Sequence, residues 1–559
     1  MAIFITIFCL LTLAYGTHTE PEIKYANYIF NEIVSSARQF GSSLNHNGMA
    51  FFIATVPIGL ELYHGSGSKA RVEKLDWLAF EPEHALVFAR PGSNRVPRPS
   101  EHCDGRDTKL YGQEVPRPKS DRSYAPAGDD AVTNGTGDPS YGYLHTYRTR
   151  SDLRLLYLDG SSAAKSDRGT LDLQDIILLQ HNPLDICHLA AAPEHQEDHE
   201  RAAKMCELAS TEWQGRINGF LRMEAGFEII LCDFAKDLDP VRITQTRPMA
   251  APPGLIVDGH AYFKAIARRH DGIGGGRIKL DYEHHVSLFA YPDAIYFDNA
   301  GRARVNSESS IIPVVRQAVR EMALSQEPIP TMNVDWQSAA DMIVARYSDT
   351  IIHLISVSSQ LPASFSVEAE RSLRPFIDYG TRDKSAEIER CQKYGIPWQG
   401  WQSQSTAARA VREVSRVICS TLWSLAHSEV NSFARDVSMI RALRKFLAWT
   451  EWKKCKGCAP NEFCFVPIWP IGAAEDFEKP RCISDLRTVG RHYWRRVERR
   501  RGGLAACTGN ETITELYDYA SDSCPSDSFS GHNTKHPTCD ISDIHQVQAE
   551  SLDSGLTTA

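Results

Sequence analysis

Ile217-Asn218-Gly219-Phe220-Leu221-Arg222-Met223-Glu224-Ala225-Gly226-Phe227-Glu228-Ile229-Ile230-Leu231-Cys232 is the stretch on which the fold turns. Ile217, Phe220 and Leu221 crowd one side of Ala225-Gly226, and Phe227, Ile229, Ile230 and Leu231 the other. Short apolar runs on either side of a small-residue break predict two buried strands joined by a tight turn or bulge. Upstream, Glu197 to Glu212 reads as a helix with Ala202, Met205, Cys206 and Leu208 on its apolar side. Tyr143, His145 and Tyr147, then Leu153, Leu155, Leu156 and Leu158 running into Asp159-Gly160, predict a strand pair with a turn signal. Leu171 to Gln180 is short and helical or extended.

Nearer the start, Pro21 to Gln39 carries an amphipathic helix (Ile23, Ala26, Phe30, Ile33, Val34, Ala37). Phe51 to Tyr63 reads as one or two strands broken at Pro57 and Gly59, and Glu81 to Ala89 as a short helix with Pro82 at its first position. Val286 to Phe297 predicts another strand or a hairpin turning at Pro292-Asp293. From Ile312 to Trp452 the period becomes helical, clearest where Ala410, Val411, Val414, Val417, Ile418 and Leu422 share a face. The fold class expected is α+β: a mixed-sheet N-terminal domain over 17–311, a helical domain over 312–452 and a small disulfide-rich module over 453–507. A polar loop over 91–140 and a Ser/Thr/Asp-rich tail over 508–559 are expected to lack a core.

The compartment follows from the N-terminus and the cysteines. Ala2 to Leu13 is an apolar run of signal-peptide length, and Ala14 and Gly16 place small residues before a cleavage at Thr17. Loss of a 1–16 leader removes Cys9 and leaves 13 of the 14 cysteines, a number that fits disulfides in an oxidising lumen with one thiol over. Cys455, Cys458, Cys464 and Cys482 are close enough in sequence for two disulfides or a zinc site, with disulfides the expectation in a secreted chain. Asn134-Gly-Thr136 and Asn510-Glu-Thr512 are glycosylation sequons of the same compartment. No later run reaches the length of a membrane span. A net charge of −9 over 559 residues argues against nucleic acid as a partner, the basic run Arg491 to Arg501 being local.

One pairing points at a chemistry. Leu62-Tyr63-His64-Gly65 is followed by Trp77-Leu78-Ala79-Phe80-Glu81-Pro82-Glu83-His84-Ala85-Leu86-Val87-Phe88. A strand ending in His-Gly, then a strand running into a short helix, resembles the nicotinamide cradle of His-Tyr-Glu-type ADP-ribosyltransferases, over residues 50–235. The resemblance implies NAD as substrate, with His64 and Gly65 at the ribose and carboxamide, and Phe80 and Phe88 stacking where the family has a tyrosine. It implies an oxocarbenium-stabilising glutamate as well, from Glu228 or Glu224, with Glu228 favoured because it leads into the apolar run. A protein or small-molecule acceptor would complete such a reaction. Leu155 to Ser161, Arg222 to Glu228 and His285 to Phe289 also resemble a widespread group of secreted fungal proteins. Two function classes stand: a secreted ADP-ribosyltransferase-like enzyme, and a non-catalytic secreted binding protein. An enzyme of a fungal secondary-metabolite pathway is the outside alternative, although the Asp-Asp-x-x-Glu motif of arginine cyclodipeptide synthases is absent.

Three other clusters read as structure. Gly65-Ser66-Gly67-Ser68 is not a nucleophile elbow, because its glycines are misplaced. Gly272 to Gly276 lacks a preceding strand and is a turn. Glu283-His284-His285 with Asp293 and Asp298 is a surface cluster or a metal site.

Overall fold

The two apolar runs around Ala225-Gly226 form β6 (Gly219–Met223) and β7 (Phe227–Leu231), paired antiparallel, with every residue of both strands buried. Strands buried on both faces need cover on both sides. The computed structural model describes residues 23–89, 141–180, 194–246, 259–325, 334–357, 362–428, 432–490 and 493–494. The expected 1–16 leader, the polar loop expected over 91–140, the tail expected over 508–559, Asn134 and Asn510 lie outside the described residues.

The sheet adds β1 (Asn47–Val56), β2 (Glu61–Ser66), β3 (Asp76–Ala79), β4 (Gly142–Thr149), β5 (Leu153–Gly160), β8 (Leu238–Thr246) and β9 (Lys279–Ser287). Its nine strands run in the order β8-β4-β2-β3-β7-β6-β5-β1-β9. Neighbours are antiparallel except β5 and β6, which are parallel. β8 forms one edge, largely solvated and carrying Pro240, as suits a strand that must not recruit a partner. β9 forms the other edge, along β1.

Register sorts the side chains onto two faces. Tyr63 pairs with Ala79, Ala79 with Glu228 and Glu228 with Arg222, so these four share a face. Tyr157 pairs with Leu221 and so lies on the other. The helix Glu194–Thr211 covers the Arg222 face: Ala202 and Met205 are fully buried, Trp213 just beyond it lies 6.0 Å from Phe220, and His199 meets Trp77. The helix Ala26–Ser35 covers the Tyr157 face, and the Ala37 amide just beyond it donates to the Tyr157 hydroxyl at 3.2 Å.

From Ile312 to Leu447 the described elements are helices. Thr406–Ala426 buries the stripe Ala410, Val411, Val414, Ile418 and Leu422 against Ala26–Ser35 and β9. One continuous apolar cluster therefore holds both the sheet and these helices. Beyond them, short strands Phe463–Phe465 and Arg481–Ile483 are stapled by Cys455–Cys464 and Cys458–Cys482. The architecture is a mixed-sheet N-terminal region, a helical C-terminal region and a disulfide module. The sulfurs of Cys455, Cys458 and Cys482 lie within 4.8 Å of one another, close enough to hold a metal ion, and in this structure all four cysteines are paired as disulfides.

Three local expectations change. β4 and β5 do not pair: β4 lies between β2 and β8, and β5 between β1 and β6. The cause is burial: β5 is a central strand with six consecutive buried residues at its C-terminal end, while β4 is one place from the solvated edge. The helix at 21–39 is shorter and gives way, at Ala37 with φ 53°, to a second helix Gln39–Leu44. Val286 to Phe297 is not a hairpin, because β9 ends at Ser287 and Ile295–Phe297 pairs instead with Ala303–Val305.

Candidate functional site

The sheet's one parallel pair ends, on its carboxyl side, at Gly160 and Met223. Gly160 turns the chain with φ 72°, and the Ala163 amide donates to the Met223 carbonyl at 2.8 Å. The loop is pinned again where the Ser162 hydroxyl donates to the Leu158 carbonyl at 2.8 Å and Thr170 to that of Ala164. On its outer side it packs against Trp469, Tyr493 and Trp494 of the C-terminal region. This loop carries Lys165 to the turn between β6 and β7.

Lys165 Nζ lies 2.9 Å from Asp198 Oδ2 and 3.1 Å from Glu224 Oε1, with the Trp469 ring 5.2 Å away. All three side chains remain partly open, at 22%, 16% and 20% exposure. Beneath them the charges close on one another. Arg222 Nε donates to Glu228 Oε1 at 2.8 Å and Arg222 Nη1 to Gln174 Oε1 at 2.9 Å. Arg201 Nε donates to Asp175 Oδ1 at 2.7 Å, and Arg201 Nη1 to Asp198 Oδ1 at 3.3 Å.

The environment drives the two open carboxyls apart. Burial raises the Glu224 pKa, and Glu228 and Asp198 add to that against the pull of Lys165 and Arg222. Burial acts on Asp198 in the same sense but is outweighed by Lys165, Arg222 and Arg201, which hold it below the usual carboxylate range. Burial would lower the Lys165 ammonium, yet Glu224 and Asp198 prevail and raise it. His84, buried in the helix Pro82–Leu86, is pushed down to about 4 by desolvation, with Glu224 pulling weakly the other way. Its ring meets Tyr262, whose hydroxyl is raised by burial and by the nearby Glu224 and Glu228. At neutral pH the site therefore combines an ammonium, an ionised carboxylate, a carboxyl of raised proton affinity and a neutral imidazole.

The residues singled out from sequence divide accordingly. Glu224 and Glu228 come together, Glu228 locked to Arg222 and Glu224 at the open rim. His64 does not join them: it adjoins Tyr63, which shares the Glu228 row, so its side chain leaves the opposite face. There His64 Nδ1 donates to the Trp77 carbonyl at 2.8 Å and its ring abuts His145 and Phe234. Gly65 serves packing, since a Cβ there would run into the Ala85 carbonyl oxygen and lie 2.8 Å from the Ala89 nitrogen. Phe80 is buried beneath the Arg277 guanidinium, and Phe88 is 51% exposed near His84. His64 and Glu228 thus point to opposite faces of the sheet. In the Glu283-His284-His285 cluster, Glu283 accepts from Trp336 and Ser403, His284 contacts Asp281, and His285 Nδ1 donates to the Tyr282 carbonyl while its buried Nε2 meets no hydrogen-bond partner. Lys165, Asp198 and His84 escaped the sequence reading. The signal nearest to hand was the Asp159-Gly160 turn, which marks where a loop leaves the sheet but not what the loop reaches.

The family model described as the YPL277C N-terminal domain matches residues 15–250. The Saccharomyces cerevisiae protein YPL277C is 31% identical over 421 residues, covering 62% of this chain and 82% of that one. The chain belongs to the YPL277C family. A second Saccharomyces cerevisiae relative, YOR389W, is 25% identical over 559 residues, covering 81% of this chain and 86% of its own. Both relatives are described as uncharacterized proteins. No solved structure matches. The stretch matching the YPL277C family holds β1 to β8 and the whole Lys165–Asp198–Glu224 cluster. Among the described residues no helix is long and apolar enough to cross a membrane.

Proposed function

We propose that the chain is an enzyme of the secretory lumen that cleaves a glycosidic bond at the Lys165–Asp198–Glu224 site. The observation that carries this reading is the pair of partly open carboxyls, Asp198 and Glu224, held on one ammonium; surroundings that push them in opposite directions fit an acid and a base. Contacts of 2.9 and 3.1 Å to one nitrogen hold the two oxygens no more than about 6 Å apart, a limit that admits the ~5–5.5 Å spacing of retaining glycosidases and excludes most of the wider range of inverting ones. Glu224 gives its proton to the leaving oxygen as the bond to the anomeric carbon breaks. Asp198 stabilises the resulting oxocarbenium ion or bonds to it. Water then adds at that carbon, displacing the Asp198 oxygen where it had bonded, and gives a proton to Glu224. The NAD reaction is a relative of this one, but nicotinamide departs as a neutral pyridine and leaves the acid idle. The lumenal assignment draws on the N-terminal apolar run and on four disulfides.

A second reading, a non-catalytic binding protein, is favoured by the way Lys165 spans both carboxylates and satisfies them within the fold. The test uses the full chain secreted from a eukaryotic host, with a mature N-terminus at Thr17 expected. It is offered a panel of aryl glycosides, and NAD with nicotinamide release as readout. Glycosidase activity lost by about 100-fold or more in Glu224→Gln and Asp198→Asn, and kept in His64→Ala, supports the proposal. No turnover across the panel, or turnover indifferent to both substitutions, overturns it and leaves the binding reading. Nicotinamide release that needs His64 returns the chemistry to the ADP-ribosyl class.

A further inference from the structure

Away from that site, the end of the helix Phe433–Leu447 borders a cavity of about 710 Å³. At Ala448, φ 45° turns the chain out of the helix and lays Trp449 and Trp452 along the wall. Both rings are fixed: Trp449 is almost wholly buried, and Trp452 Nε1 donates to the Ser348 carbonyl at 3.2 Å. Phe477, from the C-terminal region, adds a third aromatic ring to the lining. The same lining carries Arg441, Arg444, Lys445 and Lys453 against a single carboxylate, Glu478, in a chain whose overall charge is negative.

Arg444 and Lys445 fall in the last helical turn, where cations oppose the macrodipole and need no ligand. That account does not extend to Arg441, a turn earlier, while Lys453, in the turn Thr450–Lys453 beyond the helix, is aimed at the same lining by the Phe477 carbonyl, to which it donates at 3.1 Å, with Glu478 3.9 Å away. Arg444 lies 5.6 Å from the Trp452 ring centre and Lys453 4.2 Å from that of Phe477, so cations and aromatic rings line one space together. A concave, preformed site of this volume with apolar walls and convergent charge suits a small ligand that brings both a ring and an anion.

We infer that this cavity binds a phosphorylated ring compound of nucleotide size, with Arg441 and Lys453 on the phosphate and the tryptophan wall along the ring. The site is separate from the Glu224 cluster, and either reading can fail without the other. Calorimetry on the full chain in low salt, with adenosine monophosphate, adenosine and inorganic phosphate as probes, tests it. The monophosphate is expected to bind below ~1 mM, with adenosine and phosphate each at least ~10-fold weaker. Arg441→Gln, at an exposed position, is expected to weaken the monophosphate ~3-fold or more, and Arg441→Gln with Lys453→Gln ~10-fold or more. Higher salt weakens it further. No binding by ~10 mM, unchanged affinity in the double variant, or phosphate binding as tightly as the monophosphate each overturns the inference.

Discussion

Arg222→Met isolates what the buried ion pair does for the fold. Arg222 and Glu228 are 2% and 8% exposed at the side chain, and Arg222 serves both the Glu228 carboxylate and the Gln174 amide oxygen. Removing the guanidinium strands a carboxylate in the interior, a loss of about 3–5 kcal/mol, and leaves Gln174 without that donor. Removing both charges, as Arg222→Met with Glu228→Leu, abolishes the stranded carboxylate, and all but ~1–2 kcal/mol of the loss is recovered. Urea unfolding of the oxidised chain, followed by tryptophan fluorescence and far-ultraviolet circular dichroism, gives the free energies where the two transitions coincide. Glu224→Gln serves as reference: Lys165 keeps Asp198 as a partner when the Glu224 charge is lost, so a smaller loss of about 1–2 kcal/mol is expected. A single-variant loss under ~1 kcal/mol, or a double variant worse than the single, would refute the argument that Glu228 is structural while Glu224 is available for chemistry.

Burial pushes the Asp159 carboxyl up to about 6, so the folded chain holds a proton that the unfolded chain releases above ~4. The stability tied to that proton is present below ~4 and lost as pH rises through about 6, and Asp159→Asn should be ~2–3 kcal/mol more stable than wild type at pH 7. The opposite slope belongs to His84, whose stabilising neutrality is present above ~6.5 and lost as pH falls through about 4, so His84→Gln should flatten the acid limb in a pH series of melts. Cys391–Cys419 closes a 28-residue separation between two fully buried positions, and Cys391→Ala with Cys419→Ala should cost about 3–4 kcal/mol in the same urea assay. Gly65→Ala must move the Pro82–Leu86 helix, at about 1–3 kcal/mol or more, and a thermal melt unchanged from wild type would show that this helix is not held where described.

Periodicity and punctuation carried the local elements. The Ala225-Gly226 break and the stripe of Ala407 to Leu425 each state a geometry within a few turns or a few residues of chain. Partner choice is another matter. Leu153 to Gly160 is continuous with the preceding strand in sequence, yet its apolar side chains draw it to an interior place in the sheet between β1 and β6. Cys206–Cys232 is a case of the same kind, joining a helix to the end of β7 with no local mark. At the site, the two glutamates were legible as carboxylates in an apolar run, but their roles were not. Arg222 reaches Glu228 because the hairpin register sets them opposite. Lys165 and Asp198 arrive from elements 59 and 26 residues upstream of Glu224 and Glu224 turns on both. The failure of His64 to join them is one of parity: whether it faces Glu228 depends on counting registers across β3, which no single strand encodes.

The match to the family ends at residue 250, whereas β9 begins at Lys279. The strand that borders β1 is thus supplied by chain beyond the matched stretch, and it is held in place by helices still farther on. A fragment cut to the matched stretch would carry β1 with six consecutive buried residues and an open row of amides and carbonyls along one side. Such an edge is an adhesive surface, and its readiest partner in a test tube is the same edge on another molecule. The later part of the chain therefore acts as a built-in guard against self-association, and the piece most tempting to express alone is the piece least suited to live alone.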